Sequence, residues 1–330
     1  MKKTLSTFQV LCFIYVVLIA AWYVLWLTVG DGNWWLTLVN RTVPYLFLPV
    51  PLTLMRALVC RDFKDLLPLL FPVLIFLNLY YPYLLPKLVQ QDANDAQLRV
   101  MTFNVLYSNR DYDAVVNVIL TYRPDLVALQ EVQPEMMKAL EERLKEAYPF
   151  SRMADEHDYG TTAVFSRYPF TDAYILDLQA DRPAVVVRTK VHEKELMFAA
   201  VHLLAYGLQW VRPKDIPVAV MQRTSDQNRQ VEILLEEIQS QKGMFLLGCD
   251  CNSKETSSSY RMLDRQLDNS ARESGGFWNS SELANVQPDL ALQHIDYVWY
   301  RGSLKPIEVF TVIHSGGSDH LPVMAIFDLE

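Results

Sequence analysis

The chain has 330 residues, more than one typical domain, and 51% of them are hydrophobic. Its formal net charge is −8 at pH 7, but charged residues are sparse before residue 90, and the remainder carries 23 basic and 35 acidic side chains. Proteins that hold long nucleic acids need a basic stripe against the phosphates, so this acidic C-terminal part disfavours nucleic acid as the substrate.

The first 90 residues are predicted to be a membrane anchor with three transmembrane segments, at about residues 8–29, 43–60 and 66–89. The first segment has 22 residues without a charged side chain, enough for a helix to cross the hydrocarbon core. A cleaved signal peptide is the alternative, because Lys2 and Lys3 precede this run. However, bulky Trp22 and Trp26 occupy the region where a cleavage site needs small residues.

The middle segment is the weakest of the three, because it contains three prolines and Arg56. With three spans, the positive-inside rule puts Lys2, Lys3 and Arg61 in the cytoplasm and the C-terminal domain outside it. If residues 43–60 form only a re-entrant hairpin, the domain lies inside instead. We therefore expect a multi-pass protein of the cell (plasma) membrane whose C-terminal domain is extracytoplasmic.

The cysteines do not indicate a disulfide framework. Cys12 and Cys60 lie in apolar runs, whereas Cys249 and Cys251 are two residues apart. A zinc site is an alternative for the second pair, but no further Cys or His pair stands at ligand spacing. The pattern favours buried small hydrophobic residues.

After a polar linker at residues 91–97, residues 98–330 are expected to form one continuous domain. Short buried strands alternate with helices of 3.6-residue periodicity, such as the helix that ends at Arg123 before Pro124 and the helix that opens at Pro134. Ser225 is predicted to cap a later helix. Helices packed outside two mixed sheets, a layered α/β sandwich, is the expected architecture.

Polar residues recur where predicted strands end. Each alone has an ordinary explanation as a turn former, a solvated strand end or a satisfied core histidine. Together they supply carboxylates and an amide, which suit a hard cation such as Mg²⁺, and histidines that can move protons near neutral pH. The set is Asn104, Glu131, His202, Asp250, Asn252, Asp296, Asp319 and His320.

The segments around these residues resemble the endonuclease/exonuclease/phosphatase superfamily over about residues 98–328. The matching pieces are TFNV, ALQEV, AVFSRYP, AVHL, LLGCDCN, HIDYVWY and SDHLPV. The resemblance implies a DNase I-like fold, that is, a four-layer α/β/β/α sandwich preceded by the transmembrane helices. It also implies a hydrolase of phosphoester bonds that uses Mg²⁺ or Mn²⁺, with Glu131 as the principal metal ligand, assisted by Asn104 and Asp319.

The same resemblance implies catalytic roles for the other polar residues. Asp250 would orient or deprotonate the attacking water, and Asn252 would donate a hydrogen bond to a phosphate oxygen. His320, steadied by Asp296, would act as a base or stabilise the charged transition state. His202 is placed to protonate the leaving oxygen. The usual glycine-aspartate-aromatic-asparagine piece departs here, with cysteines on both sides of Asp250, which puts the packing behind the site in doubt.

The predicted substrate is a membrane lipid phosphate, with a polyisoprenyl pyrophosphate first and a phospholipid or sphingolipid phosphodiester second. The short linker keeps the domain close to the bilayer, and the stretch after His202 is unusually apolar around Trp210. The arrangement resembles membrane proteins of this superfamily linked to teicoplanin resistance. A membrane-tethered nuclease is the alternative, and a non-catalytic binding module would require gaps in the site that the sequence does not have.

Overall fold

The computed structural model describes residues 6–61, 63, 66–84, 97–155, 160–241, 243–275, 281–284 and 290–329. It divides into two compact units. The first unit comprises Met1–Tyr81, Leu208–Thr224 and Lys254–Ser258, and the second comprises Pro82–Gly207, Ser225–Ser253 and Ser259–Glu330. Of the predicted linker, only Gln97 belongs to the described residues, and the predicted cytoplasmic Lys2 and Lys3 lie outside them.

Apolar helices make up the N-terminal region. Their bounds are α1 Thr7–Thr28, α2 Trp34–Asn40, α3 Val43–Leu46, α4 Pro49–Cys60 and α5 Leu70–Leu84. Within the described residues, α1 and the stretch Val43–Cys60 are long and apolar enough to cross a membrane. The third predicted span is represented by α5, whose 15 residues reach about 22 Å at 1.5 Å per residue. Of the rest of that span, residues 66–69 precede α5, and residues 85–89 lie outside the described residues.

Local side-chain chemistry explains where these helices begin and break. Ser6 and Gln9 form a reciprocal capping box at the start of α1. The middle segment is broken between α3 and α4, and Arg56 within it stacks its guanidinium over the ring of Phe8 at 3.8 Å. Helix α2, which the sequence analysis did not predict, is capped by the side chain of Asn33.

The second unit is built mainly on two sheets. In chain order the strands are β1 Gln97–Asn104, β2 Leu126–Val132, β3 Phe150–Met153, β4 Thr161–Ser166, β5 Phe170–Leu176, β6 Ala184–Val191, β7 Lys194–His202, β8 Met244–Asp250, β9 Asp268–Asn269, β10 Glu282–Ala284, β11 Leu290–Gln293, β12 Asp296–Arg301, β13 Leu304–Thr311 and β14 Val323–Leu329. One sheet has the order β13-β14-β1-β2-β4-β3, and the other has the order β5-β6-β7-β8-β12-β9. The pairs β1–β2 and β7–β8 are parallel.

Helices cover the outer face of each sheet. The bounds of these helices and of two short ones are α6 Tyr112–Tyr122, α7 Pro134–Leu144, α8 Ile216–Gln239, α9 Ser258–Leu263 and α10 Ser270–Ser274. Apolar residues of α6 and α7 share one core with β1 and β2, and those of α8 share another with β7 and β8. The inner faces meet closely, since a Cβ on Gly248 would lie 2.5 Å from that of Ala128. The predicted α/β/β/α sandwich is therefore confirmed.

Two local expectations are wrong. Helix α8 begins at Ile216, not at Ser225, because Pro217 is tolerated in a first helical turn and Thr224 bonds back to the carbonyl of Val220 at 2.8 Å. Much of the stretch read as a loop is therefore helical. In addition, Cys249 and Cys251 are joined by a disulfide, because the turn that follows β8 brings their sulfur atoms together.

Candidate active site

Three predicted site residues form a row across one sheet. In the register of the strands, His202 of β7 lies level with Asp250 of β8, and Asp250 lies level with Asp296 of β12. Side chains at paired positions point to the same face of a sheet. Here that face is the inner one, because Gly248, two residues before Asp250, abuts the opposite sheet. All three side chains are buried.

The opposite sheet contributes an amide to this row. Asn104 ends β1 and lies two residues after Thr102, which faces Gly248 across the interface. Its Nδ2 donates a hydrogen bond to Oδ2 of Asp250 at 2.9 Å, and its Oδ1 accepts one from the backbone of Leu106. Asn104 therefore links the two inner faces at the position where the predicted catalytic carboxylate lies.

Glu131 is delivered to the site by an irregular backbone. A bulge interrupts the pairing of β2 with β4 after Leu129, and Glu131 has a φ of 60°, a conformation that non-glycine residues rarely adopt. Its carboxylate accepts a hydrogen bond from the backbone of Tyr107 at 3.0 Å and lies 3.9 Å from Nε2 of His202. With 17% of its side chain exposed, Glu131 is accessible from solvent.

The backbone of Glu131 is closely covered by Gly160. A Cβ at that position would lie 2.5 Å from the carbonyl carbon of Glu131, so the contact requires glycine. Gly160 lies three residues before the AVFSRYP piece, in the sequence GTTAVFSRYP at residues 160–169. His157 and Tyr159, just before it, lie outside the described residues.

His320 is oriented by a carboxylate. Its Nδ1 lies 2.9 Å from Oδ2 of Asp296, and its Nε2 lies 4.0 Å from Oδ2 of Asp250. Burial disfavours the protonated ring, but the carboxylates of Asp296 and Asp250 outweigh it and hold the pKa of His320 well above its ordinary value. A protonated His320 can therefore donate a hydrogen bond towards Asp250 or a bound anion.

His202 has the opposite electrostatic setting. Burial, the guanidinium of Arg182 and His320 together hold the pKa of His202 well below its ordinary value. Nη1 of Arg182 lies 2.7 Å from Nδ1 of His202. Because arginine only donates, Nδ1 is the acceptor and the ring proton lies on Nε2, which is 3.4 Å from Oδ2 of Asp250. His202 thus presents an N–H group to the centre of the site.

Sequence reasoning missed Arg182. It lies between β5 and β6, where an arginine is ordinarily solvated, and no motif indicates it.

Sequence reasoning also missed Gln227 of α8. Its Nε2 donates to the carbonyls of Leu204, Cys251 and Asn252 at 3.0, 3.3 and 3.2 Å, so one amide ties together the loops that follow β7 and β8.

Asn252 and Asp319 are held mainly through the backbone. Asn252 has a φ of 43°, its N–H donates to Oδ1 of Asp250 at 3.1 Å, and its side-chain amide donates to the carbonyl of Leu203 at 3.1 Å. Asp319 is exposed, and its carbonyl accepts a hydrogen bond from Leu283 at 2.8 Å. The charge of Asp319 contributes to the raised pKa of His320.

The carboxylates of the site fit a hard divalent cation. Burial and the nearby Asp296 raise the pKa of Asp250 to about 7, against the opposing effect of His320. Ligand atoms of Asp250, Asp296 and His320 lie within 4.8 Å of one another. Among the described residues, Oδ1 of Asp296 is buried without a hydrogen-bond partner. Oxygen donors of this kind suit Mg²⁺ or Mn²⁺. Of the predicted metal ligands, Glu131 has a partly exposed carboxylate, whereas Oδ1 of Asn104 accepts the hydrogen bond from the backbone of Leu106.

Comparisons with known proteins agree with this geometry. An endonuclease/exonuclease/phosphatase from Bacteroides vulgatus is 18% identical, with a TM-score of 0.59, over 71% of this chain and 100% of its own. TDP2 from D. rerio, complexed with a single-strand DNA product, is 16% identical, with a TM-score of 0.58, over 71% of this chain and 100% of its own. An endonuclease/exonuclease/phosphatase from Beutenbergia cavernae DSM 12333 is 20% identical, with a TM-score of 0.54, over 71% of this chain and 72% of its own. The comparison with curated proteins finds no match.

At these identities the solved structures establish the fold alone. The sequence itself provides further support. It matches the family described as "Endonuclease/Exonuclease/phosphatase family" over residues 101–320, about two thirds of the chain. The matched range begins just before Asn104 and ends at His320, so it contains every predicted site residue. The chain belongs to the endonuclease/exonuclease/phosphatase family.

Proposed function

We propose that this protein is a membrane-anchored, Mg²⁺- or Mn²⁺-dependent phosphoesterase that hydrolyses a phosphoester or pyrophosphate bond of a membrane lipid. Family membership supports a hydrolase of phosphoester bonds. The observation that carries the proposal is the convergence of Asn104, His202 and His320 on one carboxylate oxygen of Asp250. Buried titratable groups with perturbed pKa values held this close together are typical of catalytic sites.

Each residue has a role that its surroundings permit. Asp250, with its pKa raised to about 7, takes a proton from the attacking water near neutral pH. His202, whose lowered pKa keeps the ring neutral, donates a hydrogen bond from Nε2–H to the leaving oxygen, and a protonated His320 stabilises negative charge on the phosphate. A divalent cation held by Glu131 and Asn104 would draw charge from a phosphate oxygen. Asn252 would donate a hydrogen bond to a phosphate oxygen, and Asp319 would be a further ligand of the metal.

The membrane anchor is supported by the exposure of α1. Leu11, Phe13 and Leu18 are each about 60% exposed within the described structure. A helix that exposed such side chains to water would be an aggregation hazard, whereas in lipid the exposure is favourable. The helix also lacks a charged residue over its 22 residues.

An extracytoplasmic position of the catalytic domain is supported by the charge pattern of the anchor. With three spans, the positive-inside rule assigns Lys2, Lys3 and Arg61 to the cytoplasm and the catalytic domain to the other side of the membrane. The Cys249–Cys251 disulfide is consistent with an oxidising compartment.

A lipid substrate is supported by the segment Leu208–Thr224, which belongs to the same unit as the apolar helices. Trp210 and Val218 in it are 86% and 75% exposed, and tryptophan is favoured at membrane interfaces. Arg212 is paired with Asp215 at 2.7 Å, which leaves Lys214 as the better partner for an anionic head group. A polyisoprenyl pyrophosphate is the first candidate, and a phospholipid or sphingolipid phosphodiester is the second.

A membrane-tethered nuclease is the second candidate function. It is favoured by the fold shared with D. rerio TDP2, which was complexed with a single-strand DNA product. The acidic charge of residues 91–330 opposes it, because phosphate-backbone binding needs basic residues.

The test presents undecaprenyl pyrophosphate, sphingomyelin and single-stranded DNA to the full chain in mixed micelles with Mg²⁺ or Mn²⁺. Glu131→Ala is the matched inactive control. Lipid turnover that is lost in this variant and in the presence of EDTA is the expected result. Turnover of DNA with neither lipid cleaved would show that the lipid assignment is wrong. Absence of turnover for every phosphoester would reject the enzyme assignment.

A further inference from the structure

The loops that follow β7 and β8 begin at residues of the site. His202 ends β7, and Asp250 ends β8, with Asn252 two residues further on. The regular pairing of these two strands stops here, because its last pair in register is His202 with Asp250. We propose that Gln227 is a positioning residue that joins the two loops and holds Asn252 beside Asp250 for the reaction. This inference rests on the proposed phosphoesterase function.

Gln227 lies on the face of α8 that packs against the sheet. Val231, Leu234 and Ile238 follow it at the spacing of one helical face, and all three are buried in the core shared with β7 and β8. Gln227 itself is 1% exposed. A buried amide costs free energy unless its donor and acceptor are both hydrogen-bonded. The side chain therefore extends from a well-packed helix, and its contacts explain why a glutamine is present on this face.

The amide of Gln227 is hydrogen-bonded at both ends. Its Nε2 donates to the carbonyls of both loops, at 3.0 Å to Leu204, 3.3 Å to Cys251 and 3.2 Å to Asn252. Its Oε1 accepts a hydrogen bond from the hydroxyl of Ser259 at 2.7 Å. Because carbonyl oxygens cannot donate, only this orientation of the amide is compatible with its surroundings. All five residues belong to the second unit.

Two other hydrogen bonds hold Asn252, but the proposed chemistry uses the groups that make them. Its side chain donates to the carbonyl of Leu203 at 3.1 Å, and the same side chain would donate to a phosphate oxygen during the reaction. Its N–H donates to Oδ1 of Asp250, the carboxylate that takes up a proton. Gln227 bonds the backbone carbonyl of Asn252 instead. This contact is the one that the reaction leaves unchanged.

The backbone conformation of Asn252 depends on its neighbours. Its φ is 43°, a left-handed conformation that asparagine tolerates but that the surroundings must select. The peptide that joins Cys251 to Asn252 presents its carbonyl to Nε2 of Gln227. A rotation of this peptide to a common conformation would turn that carbonyl away and would also redirect the Asn252 side chain. Gln227 thus stabilises the turn in the conformation that the site needs.

The experiment compares wild type with Gln227→Met, using the full chain in detergent micelles and bis(p-nitrophenyl) phosphate as substrate. Methionine is about as long as glutamine but has no N–H group, so the space stays filled while the carbonyls lose their donor. We expect kcat to fall about tenfold or more, with KM within about threefold of wild type. The Mg²⁺ concentration for half-maximal activity is expected to stay the same, because the described hydrogen bonds of Gln227 do not include Glu131 or Asn104.

A double-mutant cycle separates positioning from a general loosening of the fold. If Gln227 acts through Asn252, adding Gln227→Met to Asn252→Ala lowers kcat by less than about threefold. An equal loss in both backgrounds would overturn the proposal. So would a kcat of Gln227→Met within threefold of the wild-type value.

The matched control is Thr189→Val. Thr189 is a buried residue of β6 that pairs with Leu196, at the end of β7 opposite to His202. Its hydroxyl donates to the carbonyl of Pro169 at 2.8 Å. The variant therefore removes a buried hydrogen bond from the same unit, away from the two loops, and is expected to keep wild-type kcat. A loss equal to that of Gln227→Met would overturn the proposal.

A second measurement does not depend on activity. The N–H groups of Leu203 and Cys251 donate to the carbonyls of Asp250 and Ile295 at 2.9 Å each, so hydrogen exchange of residues 202–206 and 249–253 reports how firmly the loops are held. Faster exchange of both segments in Gln227→Met, with no change in Thr189→Val, is expected.

Ser259→Ala provides the same measurement if Gln227→Met does not fold. It removes the hydroxyl that bonds Oε1 of Gln227, and a smaller acceleration of exchange in both segments is expected. Unchanged exchange in the folded variants would reject the role of Gln227 even if the wild type cleaved no phosphoester. An inactive wild type whose variants show the expected exchange would reject only the proposed function.

Discussion

Replacing Gly160 with alanine tests whether the unusual backbone of Glu131 is needed for activity. The added Cβ would lie 2.5 Å from the carbonyl carbon of Glu131 and 2.6 Å from its carbonyl oxygen. Ordinary contacts of a Cβ begin near about 3.5 Å, so the two backbones must separate by roughly 1 Å. A misplacement of about 1 Å can cost about 100-fold in rate, and we therefore expect kcat/KM to fall by about two orders of magnitude.

The strain of the substitution itself needs a separate control. Gly160 has a φ of 73°, so alanine there also loses about 1–2 kcal/mol of stability from backbone strain. Gly243→Ala also carries a penalty for positive φ, at 101°, but the nearest atom to its Cβ is the carbonyl oxygen of Glu195 at 3.7 Å. Gly243 precedes β8 at the end opposite to Asp250, so this variant is expected to lose stability and keep its activity.

The assay measures kcat/KM of both variants for bis(p-nitrophenyl) phosphate over a range of Mg²⁺ and Mn²⁺ concentrations, with thermal unfolding alongside. If Glu131 is the principal metal ligand, Gly160→Ala also requires more metal for half-maximal activity. A kcat/KM of Gly160→Ala that stays within threefold of the wild-type value at every metal concentration would refute the reasoning. So would an equal loss of activity in Gly243→Ala.

Three further predictions concern the side chains of the site. Glu131→Ala or Asp250→Ala should lower kcat/KM by about three orders of magnitude or more, and a smaller loss in a metal-saturated assay would argue against their roles. His202→Ala should reduce cleavage of an alkyl ester about 100-fold or more but that of a nitrophenyl ester much less, since nitrophenolate departs without help from a hydrogen-bond donor; equal losses would reject the role of His202 at the leaving oxygen. Alkylation of the denatured, unreduced protein should label two of its four cysteines, and four labels would show that Cys249 and Cys251 are not bonded.

The sequence indicated the strands well because their signal is local. Apolar runs bounded by turn residues predict strands at residues 126–132 and 184–191, which are the observed bounds of β2 and β6, and Arg123-Pro124 marks the end of α6. The positions of β3 and β5 were missed, because both are partly exposed and lack a continuous apolar run. Local pattern also failed at α8, where proline in the first turn was compatible with the helix.

The site was only partly accessible to the same reasoning. Polar residues at strand ends could be singled out, but the level alignment of His202 with Asp250 depends on the pairing of β7 with β8, which are separated by more than 40 residues. Register of this kind is set by tertiary packing and not by local pattern. Arg182 lies in a loop, where an arginine has the ordinary interpretation of a solvated charge.

The geometry around Asp250 determines how future substitutions should be interpreted. Its Oδ2 lies 2.9 Å from Nδ2 of Asn104, 3.4 Å from Nε2 of His202 and 4.0 Å from Nε2 of His320. Groups that share one atom respond together, because removal of any of them changes the charge and the orientation of the same carboxylate. The losses from single substitutions will therefore not add, and a residue's role can be assigned only from pairs of substitutions. Asn104 with His202 is the informative pair, since these two side chains approach the same oxygen of Asp250 from opposite sheets.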